Sequence, residues 1–421
     1  MFNLRKDEPI WQHWTDTDFY KETMGLLIWT LHRNVPVKFQ FKCRTPGINW
    51  REMIDLGRLR EEFDAARRVR ITKSEQHYLR GTNEYGERMF PEEYLVAQEQ
   101  LSLPEYYIGF SPQGELEMGF PGGWFEATRW EIPALTIVSE LVTRHRLSKL
   151  SRFEQDALFA EGRLRLKEKI RKLRRYPELL FSDFGTRRRA LRAWQEYVVG
   201  VMAEELPKQF RGTSNTFLAN KFTLLPMGTS AHELYMAYYG IYYGSDEDIR
   251  QSHNRVLQDW WNLYGQGLSI ALTDTYGTDF FFRDMTEEQA RNWKGLRQDS
   301  GPPQQFINRT QRFYDSFGIK KEEKLLLFSD GLDVDAMTSL HLSLQKTFLN
   351  SYGWGTGLTN DLTDNPLFKP LSMVVKLMEA NGHRTVKLSD NIRKAMGPPQ
   401  EIERARRIFG YTENFAEDCR Y

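Results

Sequence analysis

The chain has 421 residues, enough for two or three domains, and 58 Lys plus Arg against 57 Asp plus Glu leave it almost without net charge. That balance disfavours a nucleic-acid binder, which carries a basic excess, while leaving local anion sites open. Apolar residues at 40% and charged residues at 27% are ordinary for a soluble globular protein, and no apolar run of membrane-spanning length exists.

The N-terminal MFNLRKDEPIWQHW lacks a signal-peptide apolar stretch. Cys43 and Cys419 show no metal or redox spacing. A disulfide between them is left open, but two scattered thiols fit a reducing compartment better, so a cytoplasmic location is expected. Residues 15–32 read as a helix entered through an Asp or Thr cap. PVKFQFKC (36–43) alternates as a strand and ends at Thr45–Pro46–Gly47. Residues 51–105 have helical spacing, 114–138 contain strand-like runs broken at Pro121–Gly122–Gly123, 133–146 read as helix, and 151–175 as a long charged helix.

From about residue 178 a rhythm sets in: a short apolar run, a loop of Gly, Ser, Thr and Asp, then a helical pattern. The runs are 179–181, 222–225, 268–272, 325–328 and 347–349, with shorter members ending at GTSN (212–215) and RQDSG (297–301). This alternation predicts βα units around a parallel sheet. Polar loops at so many strand ends fit a β/α barrel with its site at the C-terminal rim, though an open doubly wound sheet would read the same way. Met373–Leu377 and Arg384–Leu388 read as a hairpin across Asn381–Gly382 and break the rhythm, as a different domain would.

Three loops carry candidate chemistry. In GTSAHE (228–233), Ser230 and Glu233 have capping-box spacing. His232 would then lie at the second helical position, where the helix dipole favours the neutral, nucleophilic imidazole and would stabilise an attached phosphoryl group; position alone still favours a structural histidine. In FGTRRR (184–189), Thr186 is a plausible N-cap and three arginines follow in the first turn, a cost that a bound anion would offset; the bland reading is a solvated basic patch. In GWGTG (353–357), alternate glycines allow close approach to a phosphate, although a plain loop is the default and neither a Rossmann fingerprint nor a P-loop is present. Asp274, Asp299, Asp330 and Asp333 follow expected strands. Each alone is more often a cap or turn residue; gathered on one rim they could hold Mg²⁺ and ribose hydroxyls.

In order, TDTDFYKETM, FSDFGTRRR, GTSN, GTSAHE, TDTYGTD, RQDSG, FSDGLD, GWGTGLTND and VKLSDN resemble the bacterial nicotinate phosphoribosyltransferase family over residues 15–391. The resemblance implies a type II phosphoribosyltransferase fold, an irregular, incomplete α/β barrel (141–365) beside a smaller α+β domain made from both chain ends (1–140 with 366–421). It implies ATP-assisted joining of nicotinate to phosphoribosyl pyrophosphate in NAD salvage, with Mg²⁺, and a homodimer with shared sites. Phe184 and the neighbouring subunit's Tyr20 would sandwich the pyridine ring, and Arg187, Ser214 and Arg297 would meet its carboxylate. Asp299, Ser300, Asp330, Gly331, Gly353, Gly355 and Thr356 would bind the phosphoribosyl group. Asp274 and Asp330 would lie by the metal, and Asp274 and Asp299 beside a His232 that ATP phosphorylates.

Relatives that use nicotinamide carry an Asp where this chain has Ser214, so nicotinate is the expected base. Pro302–Pro303 replaces an acidic residue usual after RQDSG and would stiffen that loop, and Trp354 replaces a smaller apolar residue. The rivals are a nicotinamide or quinolinate phosphoribosyltransferase and a non-catalytic sensor of NAD precursors; retention of His232, Arg187, Arg297 and the acidic loops weighs against the sensor.

Overall fold

The computed structural model describes residues 8–81 and 88–417. Cys419 and the first seven residues lie outside them, and Cys43 is a half-buried free thiol. No helix among the described residues is long and apolar enough to cross a membrane.

Among the described residues, twelve strands form two sheets: β1 (Pro36–Cys43), β2 (Tyr107–Phe110), β3 (Leu116–Gly123), β4 (Phe181–Asp183), β5 (Phe210–Thr213), β6 (Leu225–Pro226), β7 (Ile270–Leu272), β8 (Gly295–Gln298), β9 (Leu325–Phe328), β10 (Leu349–Trp354), β11 (Met373–Ala380) and β12 (His383–Arg384). The larger sheet is parallel, ordered β6-β5-β4-β10-β9-β8-β7, and curls into an open half-barrel. The expected incomplete barrel is thus present. Because all seven strands run the same way, their C-terminal ends open on one rim.

The second sheet is antiparallel, ordered β12-β11-β1-β3-β2, so the early strand β1 is sandwiched between β3 and the late strand β11. Alternation in PVKFQFKC does what the sequence dictates: Val37, Phe39 and Phe41 are buried and the intervening residues face out. The Asn381–Gly382 turn has positive φ at both residues (52° and 80°), as a tight hairpin needs.

Several boundaries differ from the sequence reading. The first helix begins only at Tyr20 and has no side-chain cap, because Asp18 accepts from Ser214 Oγ instead. β10 runs through Gly353 and Trp354, expected as loop, because β4 supplies ladder partners for both, Ser182 and Asp183. Phe222 ends a helix, and only Leu225–Pro226 pairs as strand. Pro121–Gly123 does not break β3, which pairs with β1 there. Pro302 and Pro303 do not stiffen a loop: they cap and start the helix Pro303–Ser316, where a missing N–H costs nothing.

Candidate active site

The rim and the antiparallel sheet enclose a cavity of about 890 Å³, large enough for a nucleotide-sized ligand. Residues past the ends of β4, β8, β9 and β10 line one side, and Val374–Leu377 of β11 line the other.

His232 opens the helix His232–Ile241 at its first position, with Ala231 as N-cap. The expected capping box does not form. Glu233 instead accepts from Trp124 Nε1 (2.8 Å) and Lys21 Nζ (2.6 Å), since a buried ammonium demands a carboxylate more strongly than a backbone N–H does. His232 is buried yet lines the cavity. Its Nδ1 meets Thr275 Oγ1 at 2.9 Å and its Nε2 meets Asp299 Oδ2 at 3.0 Å. Burial and the nearby Lys387 pull its pKa down to about 4 against the opposing pull of Asp274 and Asp299, so the imidazole is neutral at pH 7. Burial opposes ionisation of Asp299, but Arg297 and the hydrogen bond with His232 outweigh it and hold the carboxyl well below its usual range.

Phe184, Arg187, Arg297 and Tyr20 line this same cavity. This chain's own Tyr20 is among the lining residues. Its hydroxyl donates to Glu131 Oε2 at 3.0 Å, and Glu131 Oε1 lies 3.4 Å from Arg187 Nη1. Arg297 holds its guanidinium 6.0 Å from the Phe184 ring centre by donating to Ser329, Ser230 O and Asp299. The arginine triplet does not open a helix. Thr186–Arg188 is a single 3-10 turn and the helix starts at Arg192, which sends the three side chains apart. Arg187 and Arg188 face the cavity, while Arg189 is fully buried in a two-point pair with Asp16 (2.7 and 2.8 Å).

Three expected contacts are displaced. Ser214 is buried outside the cavity lining and gives its one hydroxyl proton to Asp18 Oδ1 at 2.6 Å. Gly353 sits inside β10, where a Cβ would come within 2.3 Å of the Phe184 ring; it makes room for that ring rather than for a phosphate. Ser300 is buried behind the site, donating to Asp274 and accepting from Asp390 N. Asp274 is buried there too, with Oδ1 3.6 Å from His232 Nε2 and no hydrogen-bond partner among the described residues. Asp330, Gly331, Gly355 and Thr356 do line the cavity. Asp330 is not grouped with Asp274, because Lys394 Nζ holds it at 2.6 Å; the carboxylates converging on His232 are Asp274 and Asp299. Asp333 also borders the cavity, and caps the helix Val334–Leu344.

The sequence reading missed the lysines of the antiparallel sheet and its following loop. Lys376, Lys387 and Lys394 face the cavity. Burial and the like charge of Lys387 bring the Lys376 pKa down to about 7. One signal was available, a lysine interrupting the apolar run MVVKL. Thr275 was missed as well, although it lies inside TDTYGTD.

Two family models match the chain: the nicotinate phosphoribosyltransferase (NAPRTase) family over residues 179–413 and the N-terminal domain of the same family over 15–139. Among solved structures, the chain is similar to nicotinate phosphoribosyltransferase from Porphyromonas gingivalis (28% identity, 96% of this chain and 100% of that one, TM-score 0.84). It is similar to the Vibrio cholerae enzyme (28%, 97% and 96%, TM-score 0.86) and to a putative one from Saccharomyces cerevisiae (27%, 96% and 99%, TM-score 0.82). With the family models covering most of the chain and the fold shared end to end, the chain belongs to the nicotinate phosphoribosyltransferase family.

Proposed function

We propose that this enzyme joins nicotinate to the ribosyl carbon of phosphoribosyl pyrophosphate, and that ATP assists by transiently phosphorylating His232. The observation that carries the reading is the meeting of His232, Phe184, Arg297 and Gly355 in one cavity. In this reading the pyridine ring packs against Phe184 and Tyr20, worth about 0.5–1.5 kcal/mol per ring pair. Arg187 and Arg297 meet the ring's carboxylate, each charged hydrogen bond contributing about 1.5–3 kcal/mol. Gly355 and Thr356 cradle the 5-phosphate, and Asp299 and Gly331 contact the ribose. The ring nitrogen attacks the anomeric carbon as its bond to pyrophosphate breaks, and the oxocarbenium-like centre is stabilised by anionic groups on this wall.

The donor set suits Mg²⁺. Asp274 and Asp299 present oxygens within 4.8 Å of each other and of His232, and Asp274 Oδ1 has no hydrogen-bond partner among the described residues. These two carboxylates replace the Asp274–Asp330 pair expected from sequence. Bound there, the ion would neutralise the leaving pyrophosphate. Phosphorylation requires the Nε2 lone pair to face the nucleotide. Thr275 serves this because a hydroxyl can donate to Nδ1 or accept from it, so the ring can exchange tautomers without moving. Attack by Nε2 on the γ-phosphorus releases ADP, and the site returns to its resting state on hydrolysis. A homodimer with sites shared between its subunits, expected from the resemblance, belongs to the same reading.

The test is His232→Ala, assayed for nucleotide formation with and without ATP and for acid-labile label from γ-labelled ATP. The variant should lose both ATP stimulation and label while a slow ATP-independent reaction persists. Full ATP coupling in the variant would refute the histidine's role.

A further inference from the structure

Lys21 lies behind the cavity, completely buried, where it touches no substrate position. Its ammonium lies 2.8 Å from Glu131 Oε2, 2.6 Å from Glu233 Oε2 and 3.0 Å from Thr128 Oγ1, so all three of its protons have acceptors. The two carboxylates serve different walls. Glu131 accepts from Tyr20 and lies beside Arg187, the residues assigned to the pyridine. Glu233 follows His232 in the first turn of its helix and is fixed on its other oxygen by Trp124 Nε1. One buried cation therefore bridges the base-binding wall and the helix that presents the imidazole.

We infer that Lys21 is a positioning residue that couples nicotinate binding to phosphoryl occupancy of His232; the inference rests on the reading above that ATP phosphorylates this histidine. A buried charge separated from its partners is strongly disfavoured, so neither carboxylate shifts freely while the other is held. A ligand that fixes Arg187 and Tyr20 also fixes Glu131, and through Lys21 it fixes Glu233 and the first turn at His232. The second ligand then meets a site already ordered. Coupling between two sites is reciprocal, so occupancy at His232 must tighten nicotinate by the same factor.

The measured quantity is the factor by which saturating ATP lowers the KM for nicotinate, compared among the wild-type chain, Lys21→Gln and Glu233→Gln, each checked for folding by circular dichroism. Couplings of this kind are on the order of 5–150-fold. The factor should fall to about one in Lys21→Gln. Should that variant fail to fold, Glu233→Gln, which keeps the Lys21–Glu131 pair, should show the same loss. A purely structural lysine would raise both KM values together and leave the factor intact, and that result overturns the inference. A wild-type enzyme that forms phosphohistidine yet shows no ATP effect on KM also overturns it, while leaving the phosphorylation reading in place. Absence of phosphohistidine in the wild-type chain sinks both.

Discussion

His232 Nε2 stands 3.0 Å from Asp299 Oδ2, a neutral imidazole facing a carboxylate that stays ionised. A protonated imidazole beside a carboxylate would be an ion pair, but burial and Lys387 keep this one uncharged. That difference sets how the site responds to acid.

The folded chain protonates His232 only near pH 4, whereas an exposed histidine takes its proton near 6.5. The unfolded state therefore binds more protons between those values. The contribution of His232 to stability is complete above about pH 6.5 and is lost as pH falls through about 4. His232→Asn should flatten the acid side of the curve of Tm against pH over 4–8. Parallel curves for the two proteins would rule out the lowered pKa.

Thr275 is the only hydrogen-bond partner found for Nδ1 among the described residues. Thr275→Val removes a partner able to switch between donor and acceptor. The rate of His232 labelling from ATP should drop about tenfold, equivalent to about 1.4 kcal/mol of barrier, and Thr275→Ser should restore it. An unchanged labelling rate in Thr275→Val would exclude tautomer control by this hydroxyl.

Gly353→Ala places a methyl 2.3–2.4 Å from two Phe184 ring carbons, closer than any real contact. The ring must move toward the base pocket. The KM for nicotinate should rise at least about tenfold, against a smaller change for phosphoribosyl pyrophosphate. Equal changes for both substrates would mean that the ring does not form the base site.

Arg187→Gln removes one charge facing the expected carboxylate. Loss of about 1.5–3 kcal/mol of charged hydrogen bonding should cut kcat/KM for nicotinate by roughly 10–150-fold, while the poor activity with nicotinamide changes little. The ratio of the two kcat/KM values is the readout. The wild-type chain should favour nicotinate, and a preference for nicotinamide would reverse the base assignment.

The sequence by itself determined the strand–loop–helix rhythm, and with it the parallel sheet, because burial on both faces and polar loop ends are written locally. It also placed Phe184, Arg297, Asp299 and Gly355 on one rim, since parallel strands end on the same side. Only the tertiary structure decided which groups are already taken. Ser214 gives its proton to Asp18, Glu233 answers Lys21 instead of capping its helix, Arg189 pairs with Asp16, and Gly353 yields space to a ring. The three hydrogen-bonded pairs lie 173 to 212 residues apart, and Gly353 meets Phe184 only because β10 pairs in register with β4. A hydrogen-bonding group binds the strongest partner within reach, and reach is a property of the folded chain.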